Sequence, residues 1–306
     1  MLELTKKNEQ VSYLLGLLCL AMAQIMVGFN IVYSKFIVSS IPLLLLLTIR
    51  FAAASVVLLP LHWLTPGKKK SLKTLFSALT KRDWIFIFAQ AITAGILFNA
   101  LMLLGLRYTD ANVAGIITSA LPAMIAIMSW LILKESFTGK TALCIALASL
   151  GLIIIALDKF KGVGAGHSFI GDLIVFSALI PEASYYILCK LYQNKLPIFI
   201  ASSLLNAIVF GLLFLIVMAV GVPPLGGIDA NGWLLLILLG LSSGLFYVFW
   251  FYGCQRVDGI MSSLSTGIMP VSAVMIAWMV LGERLSVLEC LGMALVLLSI
   301  ATYAKR

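Results

Sequence analysis

From Val11 to Ser34 the chain carries no charged side chain, and the same holds over 84–106, 111–133, 230–255 and 259–282. Each run exceeds the roughly 18 apolar residues that mark a membrane-spanning helix. In hydrocarbon every backbone N–H and C=O must be bonded within the protein, which leaves helices and closed barrels. Barrel strands are short and alternate in polarity, so runs this long and evenly apolar are helical. The whole chain shares their character: 62% of its residues are hydrophobic and 11% charged, with a mean hydropathy of +1.12. A soluble domain has about 25% charged residues. This chain has too little polar surface for water alone, and the lipid bilayer is its expected partner.

The pattern predicts ten spans, near 11–33, 42–63, 84–105, 111–133, 140–157, 168–189, 197–220, 232–253, 259–281 and 287–303. Trp63, Trp84 and Trp233 fall at span ends, where interfacial aromatics belong. The segment after Lys6 and Lys7 is too long for the apolar core of a signal peptide and reads as a retained first helix. An even number of spans puts both termini on one side. Loops on that side hold 15 Lys and Arg, six of them in the basic loop 66–82, against 5 on the other side. Both termini are therefore expected in the cytoplasm, with the chain in the cytoplasmic membrane. No Asn-x-Ser/Thr sequon occurs, which fits a bacterial protein. The net charge of +9 is explained by this topology rather than by nucleic acid. The five cysteines all lie in apolar segments and read as small buried hydrophobes. Neither they nor the two histidines have metal-ligand spacing, so no metal or cofactor is expected.

The second half repeats the first. At an offset of 148 residues, 97–152 aligns with 245–300 without a gap, pairing Gly105 with Gly253, Asp110 with Asp258, Pro122 with Pro270, Trp130 with Trp278 and Glu135 with Glu283. At an offset of 155 the first spans of each half pair Gly16 with Gly171, Lys35 with Lys190 and Pro42 with Pro197. Leucine matches are cheap in such sequences; coincident Gly, Asp, Pro, Trp and Glu are not. Each half, 1–157 and 168–306, holds five spans, and an odd number inserts the second half upside down. The expected fold is all-α and polytopic: ten transmembrane helices as two inverted five-helix repeats around a central cavity, the architecture of secondary transporters.

"GFNIVYSKFI" (28–37), "IPLLLLLTIRFAAAS" (41–55) and "ALPAMIAIMSWLILKES" with its echo from Ile268 resemble the EamA-type members of the drug/metabolite transporter superfamily. The resemblance covers essentially the whole chain. It implies a cavity lined mainly by spans 1, 3, 4, 6, 8 and 9, and the transport, mostly export, of amino acids and other small metabolites. Arg50, in "TIRF", has Leu205 at its repeat counterpart, so its role is confined to one half.

The polar groups inside the spans are the candidate site. Glu182 lies about 20 Å into span 6 at 1.5 Å per residue. An intramembrane carboxylate costs roughly 2.5–3.5 kcal/mol on insertion scales, so something must offset it. Pro181 frees the carbonyl of Ser177 and opens the helix beside it. Transfer out of water favours the neutral form of a carboxyl, the behaviour a proton-coupling group needs. Proton carrier, anchor for a substrate ammonium, and paired structural acid are all open roles. Arg50 reads as a structural tie that snorkels toward the outer face, with a substrate-carboxylate role as the alternative. Asn30 and Asn99 are either cavity groups or interhelical glue; Gln24 and Gln90 carry less weight. Tyr247 and Trp250 share a helix face and, with Tyr185 and Tyr186, could form an aromatic cage; packing is the plainer reading. Pro122 and Pro270 are expected to kink spans 4 and 9. Trp130 and Trp278, symmetric in the repeat, are expected to pack structurally. Glu135 and Glu283 are expected to cap or pair at turns.

A secondary transporter of a small-molecule substrate, with or without proton coupling, is the reading this pattern favours. An uncoupled facilitator using Glu182 only for binding is the alternative. An intramembrane enzyme would need convergent catalytic groups at one depth, and Glu182 has no second carboxylate or histidine near it in the sequence pattern, so no catalytic residues are expected.

Overall fold

A computed structural model describes the chain except residues 1, 35, 38–40, 65–70, 106–107, 109–116, 160–168, 193–194, 222–227, 283–284 and 305–306. Helices account for nearly all of the described chain, as backbone satisfaction in lipid requires. They are α1 (Leu2–Ser34), α2 (Leu43–Leu64), α3 (Leu72–Ser77), α4 (Lys81–Gln90), a π-helical stretch (Ala91–Leu97), α5 (Phe98–Gly105), α6 (Leu121–Leu133), α7 (Gly139–Lys159), α8 (Phe169–Leu191), α9 (Ile198–Val220), α10 (Ala230–Cys254), α11 (Gly259–Ser265), α12 (Ile268–Leu281) and α13 (Val287–Ala304). Among the described residues nine helical segments are long and apolar enough to cross a membrane, and α6 is apolar but shorter. The first part of the expected fourth span, 111–116, Glu283 and residues 66–70 of the basic loop 66–82 lie outside the described residues.

Two spans are interrupted at corresponding places. The ninth breaks at a turn over Thr266 and Gly267 between α11 and α12. The fourth has its turn at Ser119 and Ala120, one residue before α6 begins. Pro122 and Pro270 follow these turns, each within the first turn or so of a helix, where a missing N–H leaves no bond broken. The prolines expected to kink long helices thus stand just after breaks. Pro181, by contrast, sits inside α8 without ending it. The helices α6 and α12 both end on a left-handed residue, Lys134 (φ 55°) and Gly282 (φ 66°), again one repeat apart.

Packing fixes where the site forms. The helix α1 lies on α10 and α12, α8 on α5 and α6, α2 on α9 and α10, and α7 on α13. Glycines close several of these crossings: Gly151 meets Gly292 between α7 and α13, and two further glycine pairs lie one repeat apart. A Cβ added to Gly16 would lie 3.5 Å from the Gly253 carbonyl, and one on Gly253 would lie 3.0 Å from the Gly16 carbonyl. A Cβ on Gly105 would lie 3.3 Å from the Gly171 carbonyl. Gly240 and Gly244 make a similar close approach to α2, at Arg50, Ala54 and Leu58.

At the helix ends, Glu135 caps as expected, and does so on a distant element. Its Oε1 accepts from Gly259 N (2.7 Å) and its Oε2 from Ile260 N (3.1 Å), at the start of α11. Thr80 and Asp83 form a capping box at α4, and the same Asp83 Oδ2 accepts from Lys195 Nζ at 2.8 Å. Four cysteines are buried, but Cys290 is exposed. Trp130 and Trp278 are each about half exposed, so they face outward rather than pack inside.

Candidate functional site

The helices leave a cavity of about 220 Å³ at their centre. Glu182, Tyr185 and Tyr186 enter it from α8, on a helix continued through Pro181. Tyr247 and Phe246 enter from α10, Asn30 and Gln24 from α1, and Asn99 and Phe98 from α5. Thr118 and Thr266, beside the two broken spans, also line it. So do Arg50 and Phe51 of α2. This last placement corrects the expectation that span 2 lies outside the cavity and that Arg50 is a tie near the outer face. The close glycine contacts between α2 and α10 bring α2 inward, and Arg50 with it.

Glu182 accepts a hydrogen bond from the Tyr186 hydroxyl at 3.1 Å, one helical turn on. Tyr186 in turn packs on Trp250, with ring centroids 4.5 Å apart, and Tyr185 meets Tyr247 edge to face at 6.0 Å. These rings form one connected cluster with Phe246. Trp250 is fully buried behind the wall and does not itself line the cavity, so it supports the tyrosines rather than facing a guest. The Tyr185 hydroxyl is buried without a hydrogen-bond partner among the described residues.

The two asparagines turn out to be committed elsewhere. Asn30 Nδ2 donates to Met26 O and to Ser242 Oγ, and its Oδ1 accepts from Ser243 Oγ at 3.2 Å, tying α1 to α10. Asn99 Nδ2 donates to the carbonyls of Ala94 (3.1 Å) and Gly95 (2.9 Å), where the π-helical stretch leaves them without regular α-helical partners. Both line the cavity, yet their amide nitrogens are used for structure. Gln24 is the reverse. It is almost fully buried, lines the cavity, and its Nε2 has no hydrogen-bond partner. Arg50 Nε is likewise buried without a partner, and its guanidinium lies 5.2 Å from the Phe51 ring centre. Among the described residues no group of three or more His, Cys, Asp or Glu could hold a metal.

The arrangement can hold one small solute between a carboxylate, a guanidinium and an aromatic wall, with amide and hydroxyl groups at its edges. Pro122 and Pro270 are not among the lining residues. Of the cavity groups, Arg50, Gln24, Phe51, Phe98, Ser243, Thr118 and Thr266 were missed or discounted in the sequence. A charge or amide inside an apolar run was the available signal for Arg50 and Gln24; the phenylalanines carry none.

The profile described as the EamA-like transporter family matches residues 14–157 and again 169–304. The chain is 31% identical over 287 residues to the uncharacterized transporter YetK of Bacillus subtilis, covering 91% of this chain and 83% of that one. It is 29% identical over 263 residues to YyaM of the same organism, also an uncharacterized transporter, covering 83% and 81%. A solved crystal structure superposes with a TM-score of 0.78 over 96% of both chains at 15% sequence identity, a likeness of fold alone.

Proposed function

The chain belongs to the EamA-like transporter family and is an integral membrane protein, and we propose that it is a secondary transporter moving a small metabolite, an amino acid, amine or related solute, by alternating access. The observation that carries this reading is the central cavity. Helices from both matched stretches build it, and a carboxylate, Glu182, stands in its wall well inside a spanning helix. Intramembrane ionisable groups usually line pathways. On this reading residues 1–157 and 168–306 are two inverted five-helix repeats. Their packing supports it. Exchanging the halves turns the α1–α10 contact into that of α8 with α5, and the α1–α12 contact into that of α8 with α6. It also turns the Gly16–Gly253 crossing into Gly171–Gly105. The paired turns at Ser119 and Thr266 support it further. Two halves of opposite orientation that can trade conformations are what alternating access requires.

The excess of Lys and Arg on the terminus side supports a cytoplasmic placement of both ends in the cytoplasmic membrane, and the family resemblance favours export. Glu182 is the proposed coupling group: it carries a proton on one crossing and yields it to the solute or to water on the other. The test uses proteoliposomes, after thermal-shift screening of amino acids, amines and nucleosides has found a ligand. Wild type is expected to accumulate that ligand when a pH gradient is imposed, and Glu182→Gln to equilibrate it without accumulation. A mutant that keeps full gradient-driven accumulation rules out coupling through Glu182. Wild type indifferent to the gradient leaves the facilitator reading, with Glu182 used for binding.

A further inference from the structure

Where α4 begins and α8 ends, at what is called here the near face, the two halves are tied side chain to side chain. Asp83 Oδ2 accepts from Lys195 Nζ at 2.8 Å. Phe86, almost one turn along α4, stacks on Tyr192 just past α8, with ring centroids 5.1 Å and planes 9° apart. Asp83 and Tyr192 are buried in this contact. On the same face Lys190, at the end of α8, donates to the carbonyls of Cys254 (2.9 Å) and Val257 at the end of α10. Between the cavity-lining Tyr186 and Tyr247 and these helix ends, Cys189, Trp250 and Cys254 are all buried. Packed side chains therefore close the way from the central cavity to the near face.

The counterparts of this tie belong to the far face, where α1 ends and α10 begins. At the offset of 155, Tyr192 has Ile37 and Lys195 has Ser40, between the matched pairs Lys35/Lys190 and Pro42/Pro197. At the offset of 148, carried back along the third span, Asp83 has Asn231 and Phe86 has Leu234. These four residues supply neither a charge pair nor an aromatic pair. At this place the structure has a second cavity, of about 470 Å³, with Ile37, Asn231 and Leu234 in its wall. One crevice is filled and its counterpart gapes. The central cavity leans the same way: Asn30 lies in the last two turns of α1 and Arg50 in the first half of α2. Two identical halves that exchanged conformations would populate both states equally. Only a contact that differs between the states can favour one of them. The ion pair and the ring stack are such contacts, because the opposite face has no equivalent residues to make them.

Resting on the transporter reading, we propose that Asp83–Lys195 and Phe86–Tyr192 form a one-sided latch. It holds the near face shut and makes the state with the far crevice open the resting one. The crevice between Ile37 and Leu234 closes when the latch parts.

Spin-label distances on the full-length protein in proteoliposomes test this, without need of a substrate. One label pair spans the near face, at the exposed Lys81 and Leu191, and another the far face, at the exposed Ile31 and Trp233. The exposed native thiol is removed by Cys290→Ser. Lys195→Gln breaks the ion pair and spares the Thr80–Asp83 capping box. It is expected to raise the fraction with the near pair apart about twofold to fivefold. The fraction with the far pair together should rise with it. Adding Phe86→Leu should enlarge both changes, and Lys195→Arg should restore the wild-type distribution. Ile37→Tyr with Leu234→Phe gives the far crevice the rings of the near face, and should shift the distances in the same direction as Lys195→Gln. Unchanged distributions in Lys195→Gln and in the crevice variant overturn the proposal. So does a near pair that separates while the far pair stays put, since that is local loosening. If the Phe86 variant fails to fold, the other two still decide. Distances that respond, in a protein that carries no solute, would sink the transporter reading and leave the latch standing. Transport with distances indifferent to these changes would do the opposite.

Discussion

Asn30 joins α1 to α10 through Ser242 and Ser243 while it lines the cavity. Interhelical bonds of this kind average about 0.6 kcal/mol in a membrane and reach about 1.7. With two bonds to the neighbouring helix, Asn30→Ala is expected to lower stability by about 1 kcal/mol, read as a fall in melting temperature in detergent. An unchanged melt would mean the serines find other partners. The groups that could be picked out from sequence were those whose polarity conflicts with their surroundings. Glu182 and Asn30 stand out in apolar runs, Tyr185 and Tyr186 follow Glu182 within a turn, and Tyr247 was picked out by sharing a helix face with Trp250. All reach the cavity. Arg50 was misjudged because snorkelling describes a long side chain at a helix flank, and nothing in the sequence says that α2 leans inward on Gly240 and Gly244. Asn99 was visible as polar, but not as the amide that satisfies a π-helical stretch.

At the scale of elements, apolar length locates helices well and their interruptions poorly. The run 259–282 reads as one span, yet turns at Thr266 and Gly267 split it. The stretch 84–106 hides the π-helical residues 91–97. Hydropathy does not change across either feature, although side-chain hydroxyls bond backbone carbonyls beside the turn. Ser263 Oγ donates to the Pro122 carbonyl, and Thr266 Oγ1 to Ser263 O at 2.7 Å. The helix ends offer a cleaner comparison. Lys134 and Gly282 hold the same left-handed cap in the two halves, and only the glycine holds it without a clash at Cβ. A non-glycine residue pays about 1–2 kcal/mol there. Lys134→Gly is expected to raise stability by about 1 kcal/mol, and Gly282→Ala to lower it by a similar amount, both by thermal melts. Opposite signs would mean the cap relaxes when the residue changes.

For the molecule as a whole, orientation is the property on which the inverted-repeat reading turns. If ten spans cross the membrane, reporter fusions at residue 1 and at residue 306 should both report the cytoplasm, and a fusion between residues 160 and 168 the other side. Reporters on opposite sides at the two termini would remove one span and the inversion with it. The likeness of the two halves is legible because Gly, Asp, Pro, Trp and Glu recur at fixed offsets; which helices touch is not, because lipid-facing and protein-facing apolar residues look alike in a chain this hydrophobic.

The two glycine crossings, Gly16 on Gly253 and Gly171 on Gly105, have a mechanical consequence. Backbones that nearly touch resist sliding past each other but tolerate a change of angle, so in alternating access each crossing would serve as a fulcrum. Inversion would set the two at opposite faces of the membrane, each serving as the pivot while the other side gapes. Widening either with a bulky residue, as in Gly253→Leu or Gly105→Leu, is then expected to arrest the protein with one particular face open. Accessibility of a cavity cysteine to membrane-impermeant reagent should rise from one side in the first variant and from the other in the second; the same side in both would end the idea. A see-saw with two alternating axles needs no moving part besides the bundle itself.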